Sequence, residues 1–109
     1  MSIIDTFRRM GLNVQAEPRV NGIMITGYTI PAGRHAGKEV DVALGIDLPA
    51  TPPAGLHVRA PLGTIGVNGV NPSPLGAEWQ YWSRRHGAWR TNRSEHSVIA
   101  YINRILADA

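Results

Sequence analysis

The stretch from Gly37 to Pro61, GKEVDVALGIDLPATPPAGLHVRAP, restricts the fold of this chain more than any other. Val40, Val42, Leu44 and Ile46 alternate with Glu39, Asp41, Ala43 and Gly45. That period of two marks a strand with one buried face. Leu48-Pro49 ends it. Pro52-Pro53 cannot donate to a ladder, and the pair stiffens the reversal. Leu56 and Val58 then alternate with His57 and Arg59, so a second strand leaves the turn, and His57 is expected on its solvent side.

The rest of the chain extends this pair into an α+β order. Ile3, Phe7 and Met10 recur at helical spacing over residues 2–10, with Ser2 as the N-cap and Gly11 as the stop. Residues 20–30 read as a strand with Ile23 and Ile25 on one face and Met24, Thr26 and Tyr28 on the other. PAGRHAG at 31–37 is a turn, and a three-strand antiparallel meander results. The run APLGTIGVNGVNPSPLGA at 60–77 carries four glycines, three prolines and two asparagines, so it is expected to be irregular, a long loop of the functional kind. EWQYWSRR at 78–85 is a short strand or a loop folded onto the core. Residues 94–107 form the clearest helix: Ser94 caps it, Glu95 suits its first turn, and Val98, Ile102, Ile105 and Leu106 make an apolar stripe. The expectation is one domain over 1–109, with helices on one face or at the ends of an antiparallel sheet.

Composition removes several classes of function. The 109 residues contain no cysteine, which excludes disulfides, thiolate catalysis and cysteine metal sites. The four histidines, at 35, 57, 86 and 96, share no ligand spacing, so no metal and no cofactor is expected. No apolar run reaches the ~20 residues that cross a bilayer. MSIIDTFRRMG lacks the basic start and small-residue cleavage site of a signal peptide, so the expected compartment is the cytoplasm. The net charge of +3 comes from ten arginines and one lysine against eight acids. Arg84, Arg85, Arg90 and Arg93 fall within ten residues among tryptophans. Arginine interleaved with aromatics suits phosphates and stacked bases, but the excess is local and no nucleic-acid motif accompanies it.

VDVALGIDLPATPPAGLHVRAP resembles the core of the ubiquitin-conjugating enzyme (UBC) fold, which has an N-terminal helix, a four-strand meander, and a Tyr-Pro-x-x-Pro-Pro element between its last two strands. In this chain the element is Leu48-Pro49-Ala50-Thr51-Pro52-Pro53, with Leu in place of Tyr. EWQYWSRRHGAW followed by a closing helix is similar to the bacterial UBC-like proteins of family E. The resemblance runs from about Val20 to Leu106. It implies transfer of a ubiquitin-like protein received from a ThiF-type activating enzyme, with an associated peptidase, in systems linked to antiviral defence.

The family's usual nucleophile is a cysteine, and its usual His-Pro-Asn precedes it; this chain has neither. In the family the nucleophile follows the meander and precedes a Trp before the next helix. Ser83 occupies that place, six residues before Trp89. A serine there would hold the ubiquitin-like tail as an oxyester and would need a base, which His86 or His57 is placed to supply. Arg84, with Arg85, would stabilise the developing oxyanion. Ser73, between Pro72 and Pro74, is the rival hydroxyl. Two bland readings stand beside these: Ser83 as a turn residue, and the arginines as a solvated edge. A non-catalytic UBC-like adaptor needs no nucleophile at all and is the main competing function.

Overall fold

A computed structural model describes residues 3–45, 55–84 and 95–109. The order is α1 (Ile3–Arg9), β1 (Asn13–Glu17), a single 3-10 turn at Pro18–Val20, β2 (Gly22–Thr29), β3 (Glu39–Gly45), β4 (Gly55–Val58), β5 (Val70–Ser73), β6 (Gly76–Ser83) and α2 (Glu95–Asp108). The six strands form one antiparallel sheet in the order β1-β2-β3-β4-β6-β5. The protein is an α+β domain closed by a C-terminal helix. Phe7 of α1 and Val98, Ile102, Ile105 and Leu106 of α2 pack with Ile25, Val42, Leu44, Leu56 and Val58, so both helices cover the same face of the sheet. The Tyr28 hydroxyl donates to Asn103 Oδ1 and fastens α2 to that face.

The alternation read at 40–44 and at 56–58 is realised: Val40, Val42, Leu44, Leu56 and Val58 all lie in the core. Several expectations need correction. First, β1 precedes the strands expected from the sequence, so the meander has four strands rather than three. Second, 60–77 is not irregular throughout. Val70–Ser73 pairs with β6 in a hairpin, and Pro72 is tolerated because β5 is an edge strand. Third, Tyr28 joins Ile23 and Ile25 in the core instead of opposing them. The ladder between β2 and β3 slips between Ile25 and Tyr28, where the Gly27 N–H leaves the ladder for Asp41 Oδ1 at 3.0 Å. One extra residue reverses the faces beyond it. Met10, expected on the apolar stripe of the first helix, is 39% exposed just past the end of α1.

The other face of the sheet is only partly covered. Its register aligns Gln15, Met24, Ala43, His57, Tyr81 and Asn71 in a single row across all six strands. Met24 and Ala43 pack there with Leu75 and Trp79 as a small second cluster.

Candidate functional site

His57 stands in that row, and it is buried, contrary to the solvent-side position expected from alternation alone. The cause is a sheet with a second apolar layer: Tyr81 lies directly across the ladder from His57, with ring centroids 4.5 Å apart. His57 Nδ1 shares a 2.8 Å hydrogen bond with the Ser73 hydroxyl. Ser73 Oγ also accepts the Leu75 N–H at 3.1 Å. The imidazole is therefore seated against Ser73, the rival hydroxyl, and not against Ser83. With one oxygen lone pair held by the N–H two residues on, Ser73 folds the β5–β6 turn onto itself and ties it to β4.

Burial pushes the His57 imidazole below its ordinary value of 6.5. Unfolding returns it to that value, so in acid the unfolded chain takes up a proton that the folded chain resists. The stability carried by neutral His57 is complete above pH ~6.5 and is lost as pH falls through its folded value. Urea midpoints should thus drop between about pH 7.5 and about pH 5, and the drop should shrink in His57→Gln. At the higher pH that variant should cost roughly 1 kcal/mol for the lost bond. Equal drops in both proteins would contradict a buried, neutral His57.

Ser83 ends β6, exposed to solvent, with Gly55 opposite it. Its N–H donates to the Gly69 carbonyl at 2.9 Å, which joins the strand end to the loop at 60–69. No side-chain hydrogen bond to the Ser83 hydroxyl exists among the described residues. Arg84 follows with one guanidinium N–H on the Ser83 carbonyl at 2.7 Å and its plane over Trp82, 5.4 Å from the ring centroid. The Tyr101 hydroxyl of α2 donates to the Arg84 carbonyl at 2.6 Å. Ser83 and Arg84 are thus brought together at the surface, while His57 points into a different contact two register positions away. His86, Arg85, Trp89, Arg90, Arg93, Ser94, Ile46 and the Pro49–Pro53 element lie outside the described residues, as does Ser2.

Gln80 was not singled out by sequence reasoning. Its amide clasps the main chain of Gly63 from both sides, donating to the carbonyl at 2.7 Å and accepting the N–H at 3.0 Å. That clasp and the Trp82 ring hold the loop against the sheet. Trp79 instead packs on the opposite face. A polar residue between Trp79 and Tyr81, two positions from Trp82 on the same face, was the available signal. On the exposed flank, Arg59 binds Glu78 Oε2 through Nη2 at 2.7 Å and Nε at 2.9 Å, with Asp41 at 3.6 Å.

No group of three or more metal-ligating side chains occurs among the described residues, and none of their helices is long and apolar enough to cross a membrane. Compared with protein-family models, with curated proteins and with solved structures, the chain matches none.

Proposed function

We propose that this chain is a UBC-like domain that binds a ubiquitin-like protein in a conjugation pathway run with a ThiF-type activating enzyme. One observation carries the reading: a helix followed by four consecutive antiparallel strands, with Pro49-Ala50-Thr51-Pro52-Pro53 in the connection between the third and the fourth. The β5–β6 hairpin is an addition to that plan. The loop that meets Ser83 through Gly69 carries Ile65 and Val67, 46% and 49% exposed, an apolar pair of the kind a protein partner covers. Binding without transfer is favoured over acyl transfer because a serine needs a base, and His57 is engaged with Ser73.

A second reading, an oxyester on Ser83, is favoured by the exposed position of that residue beside Arg84. In that case the alcohol oxygen attacks the activated carbonyl carbon, its proton passes to a base such as His86, and the activating group leaves. Both readings meet in one experiment. The chain is incubated with the ubiquitin-like protein, the activating enzyme and ATP, then analysed by gel filtration and intact mass. Co-elution with unchanged mass is the expected result. A hydroxylamine-sensitive adduct lost in Ser83→Ala establishes the second reading instead. Neither co-elution nor adduct removes both.

A further inference from the structure

Between the loop at 61–70, the β2–β3 turn and the end of α2 lies an open cavity of about 420 Å³. Two ring nitrogens of its lining residues, Trp82 Nε1 and His35 Nε2, have no hydrogen-bond partner among the described residues, and both atoms are buried. Trp82 as a whole is only 5% exposed. An indole N–H can only donate. Lys38 Nζ lies 3.0 Å from His35 Nδ1. An ammonium also can only donate, so Nδ1 accepts and the ring proton sits on Nε2. The two orphans are therefore both donors, and no acceptor among the described residues pairs with either.

Two cationic side chains stand near them, with one acidic side chain on the α2 side. Arg34 from the turn and Arg84 from the end of β6 both line the cavity. Arg84 spends one N–H on the Ser83 carbonyl and keeps its guanidinium over the Trp82 ring. Asp108 is the one acidic side chain among the lining residues, on the α2 side. Leu62, Val67 and Val70 supply an apolar wall. Buried donors without acceptors are uncommon in folded proteins and call for an explanation. Two of them in one cavity wall, beside two guanidinium groups, call for a ligand rich in acceptors.

We propose that this cavity binds a small ligand that presents an oxyanion, carboxylate or phosphate, on an apolar body. The oxyanion takes the Trp82 and His35 N–H groups after a small opening of the wall and pairs with Arg84 and Arg34; the body lies against Leu62, Val67 and Val70. The volume suits a compact organic acid. The inference stands apart from the conjugation reading, since it needs neither Ser83 nor a protein partner.

The test is a titration of the ¹⁵N-labelled full chain with benzoate, phenyl phosphate, inorganic phosphate and the neutral benzamide, followed at the assigned indole N–H of Trp82. Benzoate or phenyl phosphate should shift that signal saturably, and the stronger of the two identifies the oxyanion. Benzamide should not shift it. Arg84→Gln should weaken the better ligand at least about tenfold, as loss of a charge-assisted pair does. It leaves the main-chain bond to Tyr101 in place, so the fold persists. Arg34→Gln, on the exposed turn, should weaken it by a smaller factor. No saturable shift with either acid, an equal response to benzamide, or unchanged affinity in both arginine variants would overturn the proposal. A response to inorganic phosphate alone would overturn the apolar body.

Discussion

Gly33→Ala is expected to destabilise the protein by at least about 3 kcal/mol, enough to remove much of the stability of a small domain. Gly33 has a φ of +89°, in the region that side chains disfavour. A methyl group built on it would stand 2.2 Å from the Ala107 carbonyl oxygen and 2.9 Å from the Ala107 Cα. Those are main-chain atoms of α2, so relief requires moving the helix end or the turn. Gly37 in the same turn is the control. Its φ is +87° but nothing lies within 4 Å of an added methyl, so Gly37→Ala should cost only the conformational term, roughly 1–2 kcal/mol. Urea unfolding of the two variants measures the difference. Equal losses would show that the β2–β3 turn is not seated on α2. The same seating brings Arg34 and His35 to the cavity shared with Trp82 and Arg84, so the Gly33 variant should also lose the indole response to an oxyanion.

Leu56→Ala carries the second large effect, about 2–5 kcal/mol by the usual cost of emptying a buried leucine. Leu56 is fully buried on a central strand, opposite Trp82 across the ladder and under α2. Sheet and helix meet there from both sides, leaving little room for collapse into the space. Ile65→Ala removes a comparable side chain that is 46% exposed, and it should change stability by less than about 0.5 kcal/mol. If the two variants unfolded at the same urea concentration, Leu56 would not be in the core. Under the proposed function, Ile65→Ala should instead weaken binding of a ubiquitin-like protein without touching the fold.

How much of this was legible in the sequence follows from where each strand sits. Strands β3 and β4 are central and face the helices, so Val40, Val42, Leu44, Leu56 and Val58 print a clear period of two. Both strands that escaped, β1 and β5, lie at the sheet edges. Few of their residues are buried: Val14 and Glu17 in β1, Val70 in β5. An edge strand half in water loses the alternation that would reveal it, and Pro72 and the nearby glycines argued against β5. The helix α2 was plain because its apolar stripe spans several turns with one covered face. Gly27 reversed the expected face of Tyr28, since a single bulge exchanges inside and outside without changing composition.

The candidate site was less legible for a related reason. Alternation assigns each residue to a face, but not what covers that face. Alternation put His57 on the face opposite Leu56 and Val58, but the expected exposure does not hold, because Tyr81 and Ser73 cover it. The contact between His57 and Ser73 joins residues of two strands with β6 between them. No local spacing encodes it. Ser83 and Arg84 were singled out only through a resemblance, and they lie at the end of β6 away from His57. The Trp82 and His35 donors could not be found from sequence, because an unpaired N–H is a property of the folded surroundings and not of the residue.

The central claim is that the chain engages a ubiquitin-like protein. Isothermal titration of the purified chain with a bacterial ubiquitin-like protein tests that most directly. The account predicts saturable one-to-one binding with a dissociation constant on the order of micromolar, weakened by Ile65→Ala and Val67→Ala and unchanged by His57→Gln. No heat of binding at concentrations of about a millimolar would contradict it, as would binding indifferent to the exposed pair at 65 and 67.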